Sequence, residues 1–148
     1  MTFIIDASVA LKWITPEEGR EEALTLLEDT ALLEAPDLII PEVTNIAWKK
    51  WRQGAFSQTQ AVAASPSILR LIAFIHPSLN LHGRAIAMSL ALDHPAYDCF
   101  YLACAEQQGA VLITADRRFY EKVARSEFTG LILHLNGIPI SQPLPPSS

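Results

Sequence analysis

Short apolar runs alternate with amphipathic stretches along most of the chain. The runs at Thr2–Ile5, 110–114 and 131–135 predict β-strands, because each is short and enriched in β-forming residues. Residues 68–75 favour a helix that gives way to a strand before Pro77. Strands this uniformly apolar, separated by helices, predict an α/β fold with a central, mostly parallel sheet covered by helices on both faces.

Amphipathic spacing and punctuating residues predict the helices between these strands. Ser57 and Gln60 match a capping box, and Pro66 is expected to break the helix that this box opens. A short apolar run at 38–40 precedes a helix with proline in its first turn. Helices are predicted over 7–14, 17–33, 41–54, 57–66, 81–92, 96–108 and 115–125.

The length of 148 residues suits a single domain, which we expect over residues 1–137. Residues 138–148 contain proline and serine without periodicity, and are expected to form a disordered tail. A mean hydropathy of +0.21 leaves two interpretations open, a generous core or apolar surface covered by a partner. Trp48 and Trp51, three residues apart, either line such a surface or divide between the core and the exterior.

Charge and cysteine usage narrow the function further. A net charge of −5 argues against nucleic-acid binding through a broad positive surface. The same net charge is compatible with a local rim of basic residues around an acidic site. No apolar run is long enough to span a bilayer and the first residues lack signal-peptide features, so a cytoplasmic protein is expected.

Cys99 and Cys104 are predicted to be buried, reduced thiols, because five residues of helix place them on different faces. The four histidines show no catalytic arrangement in the sequence.

Four acidic residues occupy chain positions that would lie at the carboxyl edge of the predicted parallel sheet. Asp6 follows the first strand, and Asp116 lies two residues beyond the strand that ends at Thr114. Glu42 and Asp98 each fall in the first turn of a predicted helix. Each acid taken singly is explained by helix capping or by the helix dipole. Taken together, the four would form one cluster at the carboxyl edge of the sheet, where ligands bind in such folds.

A cluster of carboxylates needs a cation, because the charges repel one another and raise each other's pKa. Oxygen ligands alone suit Mg²⁺ or Mn²⁺. Ser8 and Thr114 lie two residues from Asp6 and Asp116, where either hydroxyl could orient a carboxylate or hold a water molecule. Ser8 could equally cap the first helix.

Four blocks of the sequence resemble the PIN-domain nucleases, and most closely the VapC-type toxins of bacterial toxin–antitoxin pairs. The blocks are IIDASVALKW, IIPEVTNIAWK, YDCFYLACAEQQG and LITADRRF, in the family's order over roughly residues 2–135. The resemblance implies a PIN-like domain that cleaves RNA with Mg²⁺ or Mn²⁺, leaving a 5′-phosphate and a 3′-hydroxyl. It also implies a homodimer held inactive by a cognate, VapB-like antitoxin.

The resemblance assigns roles to individual residues. The metal-binding acids it implies are Asp6, Glu42, Asp98 and Asp116, with Ser8 and Thr114 as accessory positions. Basic residues near these blocks are candidate RNA contacts, namely Lys12, Lys49, Arg117 and Arg118. Arginines follow the last acid where some members carry a further acid, so binding of a second metal ion is in doubt.

Two other function classes are alternatives to the nuclease. A receiver domain needs adjacent acids after the first strand and a lysine after the last, and the chain has neither. A catalytically silent metal- or RNA-binding module that kept the fold stays open, since sequence cannot show that the four acids assemble.

Overall fold

Five parallel strands form one sheet in the computed structural model, which describes residues 1–28 and 31–139 of the chain. The order across the sheet is β3–β2–β1–β4–β5. The strands are β1 (Thr2–Ile5), β2 (Leu32–Pro36), β3 (Phe74–His76), β4 (Val111–Thr114) and β5 (Ile132–His134). The predicted α/β class is confirmed, and every strand pairing is parallel.

The centre of the sheet is buried on both faces. Ile4 and Ile5 point to opposite faces of β1, and both are fully buried, as are Leu112 and Ile113 on β4. Ile5 pairs with Ile113, so β1 ends one residue before β4 and Asp6 lies level with Thr114. The chain leaves β1 towards β2 on one side and later returns to β4 on the other, which makes this carboxyl edge the switch point of the sheet.

Seven α-helices connect and cover the strands in the described part of the chain. They are α1 (Ala7–Ala10), α2 (Arg20–Glu28), α3 (Ile39–Arg52), α4 (Gln58–Leu69), α5 (His82–Leu92), α6 (Ala96–Gln108) and α7 (Arg117–Ala124). Helix α6 packs against β1, β2 and β4, and its middle is buried from Tyr101 to Ala105. It ends at Gly109, whose φ of 60° is the left-handed conformation that favours glycine at a helix end.

Two predicted boundaries are wrong. The helix expected over 17–33 ends at Glu28, and Leu32–Pro36 forms strand β2 because Leu33 and Ala35 are buried where β2 pairs with β1. The apolar run at 38–40 opens α3. Helix α4 begins with the predicted capping box but runs through Pro66 to Leu69, since Ala64 and Ile68 are buried on either side of the proline.

Predictions about the thiols and the chain end have different outcomes. Cys99 and Cys104 are free and buried as predicted, and burial raises their thiol pKa to about 11 and about 12 respectively. Of the predicted tail, residues 140–148 lie outside the described residues, whereas Ile138 packs against the main core. No helix of the described residues is both long and apolar enough to cross a membrane.

Candidate active site

Asp6 lies at the carboxyl end of β1, where the chain turns into α1. Its extended backbone makes it the N-cap of α1, and its Oδ1 accepts a hydrogen bond from the backbone N–H of Val9 at 3.0 Å. The hydroxyl of Ser8 donates to the same oxygen at 2.6 Å, and Thr114 of β4 adds a further hydrogen bond. Both predicted accessory hydroxyls therefore contact Asp6.

Asp6 as a whole residue is 8% exposed. Burial raises its pKa to about 6, against the opposing effect of its three hydrogen bonds, and the charge of Asp98 adds to the rise. Asp6 is thus a buried acid in an unfavourable electrostatic environment.

Glu42 faces the same region from the first turn of α3. The buried Tyr101 of α6 donates its hydroxyl proton to Oε1 of Glu42 at 2.5 Å. Partial burial raises the pKa of Glu42 and the charge of Asp98 raises it further. Burial raises the pKa of the Tyr101 phenol, and the charges of Glu42 and Asp6 raise it further. Electrostatic coupling therefore joins Asp6, Glu42 and Asp98.

Asp98 lies in the first turn of α6 and is held by a histidine that the sequence pattern does not single out. His94 Nε2 lies 2.7 Å from Asp98 Oδ2, and the imidazole stacks on the ring of Phe119, with ring centroids 4.6 Å apart. Ser89 fixes the backbone of His94, accepting from its N–H at 3.2 Å and donating to its carbonyl at 2.5 Å. The four-residue spacing from His94 to Asp98, at a helix start, was the available signal.

Asp116 lies at the same edge but is exposed. It caps α7, with its Oδ1 accepting from the N–H of Phe119 at 3.1 Å. Its own N–H donates to the hydroxyl oxygen of Thr114 at 3.1 Å. Since Thr114 also bonds Asp6, one buried hydroxyl connects the loops that follow β1 and β4.

The donor set suits a hard divalent cation, although the side chains are not arranged around one. No group of three or more His, Cys, Asp or Glu side chains is placed to hold a metal ion within residues 1–28 and 31–139. The coupled acids nevertheless supply only oxygen atoms, and the repulsion among them is what a cation would relieve.

The four candidate RNA contacts separate into two pairs. Lys12 and Arg117 line one polar pocket beside Asp116, together with His134 and Asn136. Lys49 and Arg118 are exposed on α3 and α7 and do not line this pocket. The structure thus brings Lys12 and Arg117 together in one pocket next to Asp116.

The family and its relatives agree with the resemblance seen in the sequence. The family model of the PIN domain matches residues 3–125. Ribonuclease VapC3 of Pyrobaculum aerophilum is 33% identical over 128 residues, which are 82% of this chain and 95% of that protein.

Solved structures share the fold at lower identity. The crystal structure of PAE2754 from Pyrobaculum aerophilum is 22% identical, with a TM-score of 0.65 over 92% of this chain and 93% of that one. The crystal structure of VapBC2 from Rickettsia felis, bound to a DNA fragment from its promoter, is 12% identical, with a TM-score of 0.65 over 90% and 98% of the two chains. The family-model match over residues 3–125, together with 33% identity to a relative over most of the chain, places this chain in the PIN domain family.

Proposed function

We propose that this chain is a metal-dependent endoribonuclease, the toxin of a type II toxin–antitoxin pair. The observation that carries the proposal is the coupling of Asp6, Glu42 and Asp98 at the carboxyl edge of the sheet. The PIN domain match and the similarity to a protein named as a ribonuclease support RNA as the substrate.

The metal ion would be Mg²⁺ or Mn²⁺. Asp6, Asp98 and Asp116 would hold it, with Glu42 completing the set or orienting a water molecule. Such an ion supplies Lewis acidity and lowers the pKa of a water molecule. The ion also offsets the negative potential of the acids, which would otherwise repel an RNA backbone.

The residues around the acids fix their positions. Ser8, Thr114 and the backbone of Val9 hold Asp6, and Tyr101 holds Glu42. Because these donors come from β4, α1 and α6, Asp6 and Glu42 are positioned by strands and helices and not by a loop. We propose that Ser8 and Thr114 serve as these accessory positions.

A toxin of this kind acts with a partner, and the surface offers a place for one. Trp48 and Trp51 are 49% and 42% exposed, so the alternative of one core tryptophan is wrong. They line a groove of about 570 Å³ between α3 and α4, together with Val62. Solved neighbours include VapBC complexes, and we propose that a VapB-like antitoxin covers this groove, that the toxin is a homodimer and that it acts in the cytoplasm.

The proposal is tested with antitoxin-free protein and total RNA, in Mn²⁺ and in EDTA, beside Asp98→Asn. We expect discrete cuts with Mn²⁺ only, and a loss of cleavage exceeding about 100-fold in the variant, more than is typical of losing a residue outside the ligand set. Cleaved ends are mapped at nucleotide resolution. Equal cleavage by wild type and variant would refute the metal site.

The catalytically silent module is the competing proposal, favoured by the absence of a preassembled ligand group among the described residues. Titration of Mn²⁺ into the RNA-free protein separates the two. Binding of Mn²⁺ by wild-type protein without any RNA cleavage would favour the silent module.

A further inference from the structure

A polar pocket of about 250 Å³ opens beside Asp116, on the β5 side of the acids. We call it the basic pocket and define it by Lys12, Glu18, Arg117, His134 and Asn136. Its walls come from the helical turn after α1, the turn before α2, the start of α7 and the end of β5. Elements that are distant in sequence therefore build one concave surface next to the proposed metal site.

Lys12 is held in a fixed position in this pocket. Its Nζ donates to the carbonyl oxygen of Glu18 at 2.6 Å and lies 3.5 Å from the carboxylate of Glu17. The aliphatic stem packs on Gly19, whose φ is +88° and where an added Cβ would lie 3.3 Å from Lys12 Cδ. A methyl group at Gly19 would crowd that stem, so the close approach depends on glycine.

His134 contributes shape to the basic pocket but no charge. Its Nδ1 accepts from the N–H of Asn136 at 3.0 Å, and its Nε2 lies 3.3 Å from the carbonyl oxygen of Ala115. One nitrogen accepting and the other donating defines the neutral imidazole. Burial lowers the pKa of His134 and the positive charges of Arg117 and Lys12 lower it further, which agrees with that form.

Arg117 supplies the positive charge of the basic pocket that has no ion-pair partner in the described part of the chain. No ion pair joins Arg117 to another residue in the described ranges, and its guanidinium lies 6.0 Å from the centre of the Tyr120 ring. Glu18 is the acid in the pocket wall, and its carbonyl rather than its carboxylate binds Lys12. Lys12 is paired with Glu17, and Glu18 is exposed to solvent, so the guanidinium of Arg117 is the charged group of the basic pocket that remains available to bind an anion.

We propose that the basic pocket binds a backbone phosphate of the RNA strand, next to the phosphate that is cleaved. The inference rests on the proposed function, because it is the position beside Asp116 that makes an RNA phosphate the expected anion. Arg117 provides a planar donor fork suited to phosphate oxygens and Lys12 a point charge. The pocket thereby sets the direction in which the strand crosses the acids.

The test measures RNA binding apart from cleavage. Fluorescence anisotropy of a labelled, short single-stranded RNA is followed in EDTA over a series of salt concentrations. Arg117→Gln and Lys12→Met each remove a charge and keep most of the side chain. We expect each to weaken binding about 10-fold, as loss of a charged hydrogen bond does, and to lower the salt slope by about 0.7. Arg117→Lys should restore most of the affinity.

Arg125→Ala is the matched control, an exposed arginine at the other end of α7, and should bind RNA like wild type. Unchanged binding by both charge-removing variants, with RNA still cleaved in Mn²⁺ by wild-type protein, would overturn the pocket and leave the nuclease standing. A wild-type protein that neither binds nor cleaves RNA would overturn both.

Discussion

Asp6 and Asp116 occupy matching places in the fold but have different surroundings. They follow neighbouring parallel strands, and each caps the next helix through Oδ1, at 3.0 Å from Val9 N and 3.1 Å from Phe119 N. Asp6 is 8% exposed and its pKa is raised to about 6, whereas Asp116 lies on the surface.

Capping alone does not explain this difference. An exposed aspartate makes the same cap at Asp116 without burying a charge, so the burial of Asp6 brings a cost that α1 does not require. A local arrangement that costs free energy is typical of functional sites. Asp116 considered alone is explained equally well as a helix cap or as part of a functional site. The burial of Asp6 is explained better by a functional site than by helix capping.

The largest stability effect is expected at Asp6. In the folded protein its pKa is about 6, against 3.8 in the unfolded chain, so between these values the folded state holds a proton that the unfolded state has lost. Stability therefore falls as the pH rises from about 4 to about 6, and above that range the ionised Asp6 costs about 3 kcal/mol. Asp6→Asn removes this charge and keeps the cap.

We expect Asp6→Asn to be more stable than wild type by up to about 3 kcal/mol near pH 8 and similar to it near pH 4, in urea unfolding with EDTA present. Asp116→Asn serves as the control and should change the free energy of unfolding by less than about 0.5 kcal/mol. A gain at Asp6 that is the same at both pH values would show that ionisation is not its cause.

Asp98 extends the comparison, since a histidine and not a backbone N–H holds its carboxylate. Positioning partners outside the ligand set typically contribute about 10- to 100-fold to metal affinity. We expect His94→Phe, which keeps an aromatic face on Phe119 but loses the hydrogen bond, to weaken Mn²⁺ binding by about that factor in calorimetry without RNA.

His94→Gln tests whether the hydrogen bond is responsible. The amide can still donate to Asp98 Oδ2, so this variant should recover most of the Mn²⁺ affinity that His94→Phe loses. A purely structural role would instead lower the melting temperature of both variants and leave Mn²⁺ affinity unchanged in the folded protein.

The sequence predicts the elements whose pattern is local. Helix α6 is predicted from Ala96 to Gln108 because Pro95 and Gly109 mark its ends, and β1 and β4 are unbroken apolar runs. Strand β2 is missed because the helical spacing of α2 is extended to residue 33 in the prediction, and only pairing with β1 decides the structure of Leu32–Pro36. Tertiary contacts there override the local pattern.

In the candidate site, too, some features are predicted from the sequence and others depend on tertiary contacts. Chain position predicts that the four acids gather at one edge, and that Ser8 and Thr114 lie near Asp6. It cannot predict the bond from Tyr101 to Glu42 or the stacking of His94 on Phe119, because both depend on packing between helices distant in sequence. Burial, and therefore the raised pKa of Asp6, is likewise a property of the assembled core.

The smallest expected effect is the loss of stability when Asp116 no longer caps α7. It distinguishes a capping role of Asp116 from a role in metal binding. Alanine removes the acceptor that caps the N–H of Phe119, whereas asparagine keeps it, so Asp116→Ala should lose about 1 kcal/mol of stability and Asp116→Asn almost none. Both variants lack the carboxylate and should lose Mn²⁺-dependent cleavage alike if Asp116 binds the ion. Urea unfolding and cleavage rates are measured on the same protein preparations. Retained cleavage in Asp116→Asn would make Asp116 only a cap, and would restrict the metal site to the coupled acids Asp6, Glu42 and Asp98.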